Sequence, residues 1–397
     1  MFKLSDSVQR IAPSATMAIS SRAKAMAREG QDVIALAAGE PDFATPAHIV
    51  EAAKVALDEG FTHYTPAAGI PELRAAWAEK IGRERGLTYE PSQLIVTAGG
   101  KQAVYNTVYA MAGPGDEVLV PVPYWVSYSE QVKAVGATPV YLPTTAESGF
   151  KLTAAALREA ITERTRLLIL CSPSNPTGSV YTKDELFALA QVLVEAQVPV
   201  LSDEVYDVLV YGQAFTSIAS LGQEIADLTI VAGAVSKAYA MTGWRIGFAA
   251  GPSEVIAAAG RLQSHSTSGA NSIAQKAALE AITGDQSAVE EMRLAFDARR
   301  KYMLERLWAI PDLSCPEPLG AFYTFPQISA YYGRTLDGTP INGSMDFCEK
   351  LLEHAKLALV PGVAFGSDEY VRLSYATSKE QIKEAMDRLE WFLGKLE

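Results

Sequence analysis

The chain has 397 residues, a formal net charge of −12 at pH 7, and a composition in which 49% of residues are hydrophobic. Its acidity disfavours nucleic acids and anionic membrane surfaces as partners, and no apolar run reaches the ~18 residues of a membrane span. The length allows two sizeable cores, since single cores stop growing near ~250–300 residues.

Helical patterns alternate with short apolar strands through the first two thirds of the chain. The strand candidates are residues 94–96, 117–120, 167–170, 198–201 and 229–231. Such alternation predicts an α/β fold with a mostly parallel central sheet and helices on both faces. We assign residues 48–286 to this large domain.

Both ends of the chain are predicted to form a smaller α+β domain. Residues 1–47 supply an arm, with a helix up to about Gly30, and residues 287–397 supply the rest. The predicted helices are residues 288–308 and 379–393, and the predicted strands are residues 320–325, 357–363 and 370–375. Residues 328–343, rich in Tyr, Gly and Thr, are predicted to be a flexible surface loop.

The strand at residues 167–170 runs into a turn that contains two prolines, Ser172-Pro173-Ser174-Asn175-Pro176-Thr177-Gly178. The prolines fix the backbone on both sides of Asn175, so its amide is presented at a defined point, as contact with a cofactor oxygen requires. A plain loop is the alternative interpretation.

The strand at residues 198–201 is followed by the acidic segment Ser202-Asp203-Glu204-Val205-Tyr206. Open α/β sheets bind ligands at the carboxyl ends of their strands. Asp203 is therefore a candidate to keep a ring nitrogen protonated, and Tyr206 to donate its hydroxyl to a ring oxygen. The alternative is that Asp203 caps the next helix.

A lysine with small and apolar neighbours follows the last strand candidate of the large domain, in Ser236-Lys237-Ala238-Tyr239-Ala240, and Arg245 comes shortly after it. Desolvation among uncharged neighbours favours the neutral amine, which a Schiff-base lysine requires. A solvated surface lysine is the alternative. A Schiff-base lysine together with an acid for a pyridine nitrogen suits pyridoxal 5'-phosphate.

Cysteines and histidines give no sign of a metal site. Cys171, Cys315 and Cys348 are widely spaced, and the four histidines are scattered. Neither a disulfide framework nor a zinc site is expected, and catalysis is not expected to depend on histidine. Because the first residues also lack a charged segment followed by an apolar core, we expect a cytoplasmic protein.

Taken in order, Asn175, Asp203, Tyr206, Lys237 and Arg245 resemble the class I and II aminotransferases of PLP fold type I. The resemblance extends over nearly the whole chain, and within the family the chain looks most like the bacterial and cyanobacterial Iβ aspartate aminotransferases. The stretches that carry it are Leu36-Ala37-Ala38-Gly39-Glu40-Pro41-Asp42-Phe43, Tyr64-Thr65-Pro66-Ala67-Ala68-Gly69, Val371-Arg372-Leu373-Ser374-Tyr375-Ala376, Pro13-Ser14-Ala15-Thr16, Gly99-Gly100-Lys101-Gln102 and Pro123-Tyr124-Trp125-Val126-Ser127-Tyr128.

The resemblance implies a role for each matching residue. Lys237 forms the Schiff base and moves the substrate proton, Asp203 holds the pyridine nitrogen, and Tyr206 and Asn175 bond the ring oxygen. The other implied cofactor contacts are Trp125 on the ring face and, for the phosphate, Gly99, Gly100, Lys101, Ser236, Arg245 and Tyr64 from the partner subunit of a homodimer. The phosphate contacts open a helix predicted over residues 102–111.

Substrate contacts are implied in the same way. Arg372 grips the α-carboxylate with its planar fork, and Gly39, Trp125 and Asn175 lie beside it. Lys101 and Thr16 match residues that reach the distal carboxylate. The alternatives are that only the backbone of Lys101 matters and that Thr16 caps a helix. Family members commonly carry Ser or Gly where this chain has Ala234, a residue that cannot donate a side-chain bond to the phosphate.

The implied reaction is transamination between L-aspartate and 2-oxoglutarate by ping-pong exchange through the Lys237 Schiff base, giving oxaloacetate and L-glutamate. Three alternatives stay open on the same cofactor: an aminotransferase for prephenate or aromatic substrates, an enzyme with dual aspartate and prephenate specificity, and a C–S β-lyase. A nucleotide-binding module on a doubly wound sheet is disfavoured, because neither GxGxxG nor GxxxxGK[ST] occurs in the required context.

Overall fold

The computed structural model describes residues 2–13 and 15–397, and for residues 15–18 it describes the backbone alone. The helices are α1 (Asp6–Gln9), α2 (Ala15–Arg28), α3 (Ala47–Asp58), α4 (Pro71–Arg85), α5 (Gly100–Met111), α6 (Ser127–Ala134), α7 (Ala154–Ala160), α8 (Lys183–Ala196), α9 (Gln223–Ala226), α10 (Val235–Ala238), α11 (Ser253–Ser266), α12 (Ser272–Thr283), α13 (Ser287–Trp308), α14 (Ser344–Ala355) and α15 (Lys379–Leu393). The strands are β1 (Ile34–Ala35), β2 (Leu94–Thr97), β3 (Glu117–Val122), β4 (Thr138–Pro143), β5 (Thr165–Cys171), β6 (Val200–Asp203), β7 (Thr229–Ala234), β8 (Gly247–Ala250), β9 (Tyr323–Thr324), β10 (Thr335–Leu336), β11 (Thr339–Pro340), β12 (Leu357–Ala358), β13 (Val360–Pro361) and β14 (Val371–Ser374).

A seven-stranded sheet in the order β2-β8-β7-β6-β5-β3-β4 forms the centre of the fold. All of its neighbouring strands pair in parallel except at β8, which is antiparallel to both β2 and β7. Strands β6 and β7 are buried along their whole length, which explains their nearly continuous apolar sequences. The predicted α/β fold with a mostly parallel sheet is confirmed.

Helices cover both faces of this sheet. Residues of α5, α6 and α11 share one buried cluster with one face, whereas α3, α4 and α12, together with α7 and α8, cover the other. Local signals explain where several helices begin and end. In α8, for example, Thr182 and Glu185 form a reciprocal capping box, and α4 starts at Pro71 and ends before the left-handed Gly86.

The two ends of the chain meet in a second core. Residues of α2 and β1 pack in one cluster with α13, α14 and α15. Strand β1 pairs in parallel with β12, and β14 lies between β13 and β9 in a three-stranded antiparallel sheet. This common core fits the smaller unit expected from both ends, although the boundaries after residues 47 and 286 remain predictions. None of the described helices combines the length and apolar character needed to span a membrane.

Several element predictions were wrong in detail. Residues 328–343 are not simply a loop, since they hold a 3₁₀ turn at Ser329–Tyr331 and the β10–β11 hairpin. The strand predicted over residues 357–363 is divided into β12 and β13 and ends in a 3₁₀ turn, Gly362–Phe365. Only Tyr323–Thr324 forms a strand within residues 320–325, and α5 begins at Gly100, two residues before the predicted start. Strands β4 and β8 were not predicted.

Candidate active site

A cavity of about 570 Å³ lies at the carboxyl end of the central sheet. Cys171, Asp203 and Ala234, the last residues of β5, β6 and β7, line one side of it, and residues from the terminal core line the other. Eleven of the predicted site residues are on its wall: Gly39, Gly100, Lys101, Trp125, Asn175, Asp203, Tyr206, Ser236, Lys237, Arg245 and Arg372. The fold thus gathers residues from positions 39 to 372 at one sheet edge.

Asp203 ends β6 and is 6% exposed. Its Oδ2 accepts a 2.5 Å hydrogen bond from the hydroxyl of Tyr128, and its Oδ1 accepts a longer one, 3.3 Å, from the N–H of Val205. Burial raises the pKa of the Asp203 carboxyl, while the Tyr128 bond, the Val205 bond and the nearby charge of Lys237 oppose that shift. The carboxylate is therefore held at the cavity wall by donors that favour its ionised form.

Lys237 lies in α10, the single turn that follows β7, and its Nζ donates to the carbonyl oxygen of Gly39. Burial lowers the pKa of Lys237 to about 8, with the carboxylate of Glu40 acting in the opposite direction and the charges of Arg372 and Arg245 in the same direction. A neutral amine is consequently accessible near neutral pH, as a nucleophilic lysine requires.

Arg372, on β14, is 5% exposed. Its Nη1 donates to Oδ1 of Asn175 over 2.9 Å, its Nη2 donates to the carbonyl oxygen of Ala37 over 3.0 Å, and its Nε has no partner among the described residues. The guanidinium carbon lies 4.4 Å from the ring centre of Tyr323 and 5.1 Å from that of Phe365. Burial lowers the pKa of this guanidinium from its ordinary value, but the group stays a cation because that value is so high.

Tyr206 is buried beside this arginine, and its hydroxyl lies 2.8 Å from the hydroxyl of Tyr323. Burial raises the pKa of Tyr206 well above its ordinary value, with the Tyr323 hydroxyl adding to the shift. Both tyrosines are therefore protonated at neutral pH. Tyr206 has a hydroxyl available as a donor at the cavity wall.

The start of α5 forms a small cradle of main-chain N–H groups. Neither the N–H of Gly100 nor that of Lys101 donates to an acceptor in the part of the chain that the structure describes. Gly99 precedes them with a φ of 83°, and a Cβ there would lie only 2.5 Å from a guanidinium nitrogen of Arg245. Arg245 itself is anchored by bonds from Nη1 to the carbonyl oxygen of Thr242 and from Nη2 to that of Ala98. This is a cationic helix N-terminus, which suits an anion.

Ala234 borders the same cradle, and Ser236 follows it two positions later in the chain. Ser236 is 6% exposed and lines the cavity. Ala234 ends β7, and its methyl carbon would lie 3.5 Å from a Cβ built on Gly100. The absence of a hydroxyl at position 234 leaves Ser236 as the nearby hydroxyl that precedes Lys237 in the chain.

Trp125 and Lys101 form the outer part of the wall. The Nζ of Lys101 lies 4.9 Å from the ring centre of Trp125, and the Trp125 ring meets the ring of Tyr128 edge on. Partial burial lowers the pKa of Lys101, and the charge of Arg245 adds to that effect. Lys101 is among the residues that line the cavity.

Two predicted residues whose side chains or backbone the structure describes, Gly99 and Tyr64, are not among those that line the cavity. Gly99 directly precedes α5, and Tyr64 is 98% exposed. Thr16 is the second residue of α2, so it does not cap that helix, and its side chain lies outside the described residues.

Sequence reasoning missed Tyr128 and Tyr323 as site residues. Tyr128 belongs to the motif that marks Trp125, so the motif itself was a usable signal for it. Tyr323 had no such signal, because its partner Tyr206 lies 117 positions away along the chain.

The chain is similar to known proteins over nearly its whole length. Residues 31–389 match the family model described as aminotransferase class I and II. The aspartate aminotransferase of Geobacillus stearothermophilus is 47% identical, covering 98% of this chain and 99% of the relative, and the aspartate/prephenate aminotransferase of Cereibacter sphaeroides is 48% identical, covering 99% of each.

Solved structures give the same result. The aspartate aminotransferase of Rhizobium meliloti superposes with a TM-score of 0.97 at 44% identity, and all of both chains is covered. That of Thermus thermophilus with maleate gives a TM-score of 0.93 at 45% identity, covering 98% of this chain and 100% of the other. Similarity of this extent applies to the whole fold, including both sides of the cavity.

Proposed function

Because this chain belongs to the class I and II aminotransferases, enzymes that depend on pyridoxal 5'-phosphate, we propose that it transfers the amino group of L-aspartate to 2-oxoglutarate. The products are oxaloacetate and L-glutamate. The observation that supports this best is that one cavity carries a lysine of lowered pKa, Lys237, together with further cations, among them Arg372 and Lys101. A dicarboxylic amino acid needs two cations for its carboxylates and a base for its α-proton.

The residues present fit the cofactor at both of its charged ends. The unpaired N–H groups of Gly100 and Lys101, with Arg245 beside them, suit the phosphate. At the other end, Asp203 is a carboxylate in a buried setting that has only one short hydrogen bond, so it suits a protonated ring nitrogen. When bound, the cofactor supplies an electron-withdrawing ring that stabilises negative charge on the substrate α-carbon.

Lys237 would supply the covalent attachment to the cofactor and the proton transfer. Once freed by the amino donor, the Nζ of Lys237 would take the proton from the substrate α-carbon and hold it for return to the cofactor. A pKa of about 8 suits both roles, because the amine accepts and gives up a proton near neutral pH. In the reverse direction, the same role of Lys237 would serve the conversion of 2-oxoglutarate to glutamate.

Four neighbours would orient the reacting groups. Tyr206 and Asn175 would bond the ring oxygen of the cofactor, and Trp125 would cover the ring face. Arg372 binds the α-carboxylate, for which its unpaired Nε is free and its fork is already fixed by Asn175 and the Ala37 carbonyl. The arginine is thereby oriented before any substrate arrives, which reduces the entropy lost on binding.

Lys101, with Thr16, addresses the distal carboxylate. The charge of this lysine is needed locally, because the chain as a whole carries a net charge of −12 and repels a dianion. The relative from Thermus thermophilus was solved with maleate, a dicarboxylate, which supports a site for two carboxylates in this fold.

We further propose a homodimer in which Tyr64 bonds the phosphate held by the partner subunit. Its side chain is 98% exposed, although it sits beside a well-packed segment. The N-terminal arm also exposes Phe2 and Leu4, 98% and 60% of whose surfaces are accessible, which favours contact with a second chain. We also propose that the protein is cytoplasmic.

Dual activity toward prephenate is the second candidate. It is favoured because the cavity is also lined by Ala23 and Ala27 of α2 and by Val33 after that helix, whose small or aliphatic side chains leave room for a substrate larger than aspartate. The Cereibacter sphaeroides relative bears the name of such an enzyme.

The test is the visible absorption spectrum of the purified protein before and after excess L-aspartate, with no oxo acid present. We expect the band of the lysine-bound cofactor to give way to that of the amino form. If prephenate's transamination product, arogenate, or aromatic amino acids produce that change while aspartate leaves the spectrum unaltered, the aspartate assignment is wrong and the second candidate replaces it.

A further inference from the structure

Residues 64–70 combine a fully exposed side chain with a tightly bonded backbone. Tyr64 is 98% exposed, whereas four of the six residues after it are hydrogen-bonded to residues outside the segment. The N–H of Val96 donates to the carbonyl oxygen of Ala68 over 2.9 Å. At Gly69, where φ is 98°, an added Cβ would lie 2.5 Å from the Cβ of Val96, so the segment lies directly against β2.

Two completely buried glutamines make the remaining bonds. Gln275, on α12, accepts from the N–H of Ile70 over 2.8 Å and donates to Oγ1 of Thr65 over 3.0 Å. Gln263, on α11, donates to the carbonyl oxygen of Ala67 over 2.6 Å. Both glutamine side chains have a relative exposure of 0%.

Helix packing alone does not explain these glutamines. Burying an amide is costly unless its groups are bonded, and the neighbouring core positions of α12 are alanines. The other bonds of the two amides reach the Val96 and Ala270 carbonyls and the side chain of Asn106, so each amide donates twice and accepts once. The amides therefore serve a stretch of irregular backbone.

We infer that Gln275 and Gln263 are positioning residues that hold the 64–70 segment rigid, so that each protomer presents the Tyr64 hydroxyl to the phosphate site of its partner. This rests on the proposed function, in which Tyr64 acts across the dimer. Fixing the segment before association reduces the entropy lost when Tyr64 binds the phosphate. The effect of either glutamine then appears in the partner's site and not in its own.

Mixed dimers test this directly. Chains with two different affinity tags are co-expressed, and Lys237→Ala in one of them leaves one lysine-bearing site per dimer. Gln275→Met is placed either on the Lys237→Ala chain, which supplies Tyr64 to the intact site, or on the chain that owns the intact site. Borohydride reduction followed by intact-mass analysis counts the cofactor attached to Lys237 as a function of pyridoxal 5'-phosphate concentration.

We expect half-saturation to rise about tenfold when Gln275→Met is on the chain that supplies Tyr64, and to change less than about twofold in the other arrangement. Pyridoxal, which has no phosphate, should show no difference between the two arrangements. An equal loss in both, or a loss only in the chain's own site, means that Gln275 is structural and overturns the inference.

Two further variants keep the outcome clear. Gln275→Glu retains the shape and the acceptor but loses both donors, so it replaces Gln275→Met if that chain does not fold. Tyr64→Phe on the supplying chain tests the premise. If Tyr64→Phe weakens binding and the Gln275 variants do not, the inference alone is wrong; if Tyr64→Phe has no effect, or the protein is a monomer, the sharing of sites is wrong and the inference falls with it.

Discussion

The hydroxyl of Tyr128 donates a 2.5 Å hydrogen bond to Oδ2 of Asp203, and both residues are buried at the carboxyl end of the central sheet. Burial raises the pKa of Asp203, and this bond is the largest influence that lowers it. Tyr128 therefore helps to keep the carboxylate ionised, which is the form that can hold a protonated ring nitrogen.

Tyr128→Phe should lower kcat/KM about 10- to 100-fold, since a hydrogen bond to a charged group contributes about 1.5–3 kcal/mol. Without the donor, the pKa of Asp203 rises further, so the acid limb of the kcat/KM profile should move to higher pH. The control is Tyr181→Phe, which removes a buried hydroxyl that accepts from the N–H of Leu152 outside the site. An unshifted acid limb in Tyr128→Phe would contradict this role.

The cofactor-free protein should gain stability as the pH rises from about 8 to 10.5 because of Lys237. Its pKa is lowered to about 8 in the folded state, below the ordinary 10.5, so the unfolded chain binds more protons in this window. Below pH 8 both states are protonated and the burial penalty is complete. The difference in unfolding free energy between wild type and Lys237→Met should change by about 1–3 kcal/mol across the window, as measured by urea denaturation. A constant difference would show that the amine is not desolvated.

Arg372→Lys should raise KM for both aspartate and 2-oxoglutarate, lowering kcat/KM about 100-fold, because lysine cannot bind a carboxylate with two parallel bonds. Steady-state kinetics with each substrate varied in turn will measure both KM values and kcat/KM. Arg300→Lys is the matched control: Arg300 is 4% exposed, close to the 5% of Arg372, but bonds Asp297 and Glu317 away from the cavity. Equal losses in the two variants would indicate a packing role for Arg372.

Lys101→Ala should lower kcat/KM for aspartate about 10- to 100-fold while changing that for phenylalanine less than about threefold, since only aspartate has a distal carboxylate. Lys133→Ala, which removes a lysine paired with Glu130 on α6, serves as the control for a general loss of positive charge. If kcat/KM falls equally for aspartate and for phenylalanine, Lys101 acts on the cofactor rather than on the substrate side chain.

The elements that could be predicted from the sequence carry their capping and periodicity signals within a few residues of their own ends. The closing helix was predicted over residues 379–393 and runs over Lys379–Leu393, with Ser378 capping its first turn through the N–H of Gln381. Strand β8 carries no comparable signal, because Gly247-Phe248-Ala249-Ala250 has no β-branched residue and pairs with neighbours distant in the chain.

The residues of the candidate site divide in the same way, into those with a local sequence signal and those without one. Asn175, Asp203 and Lys237 stand next to strand ends, so a sequence of strands and turns was enough to suggest them. The pairing of Tyr206 with Tyr323, and the bonding of Arg372 to Asn175 across 197 positions, depend on how the terminal core lies over the sheet. No local pattern encodes such contacts.

The antiparallel strand β8 brings Gly247 against the start of α5, where an added Cβ would collide with the N of Gly100 and the carbonyl carbon of Gly99. In a survey of all single substitutions, position 247 should therefore tolerate change as poorly as Lys237 does. A residue with no side chain and no chemistry of its own would be ranked among the essential ones, since even one methyl group there displaces the backbone at the start of α5.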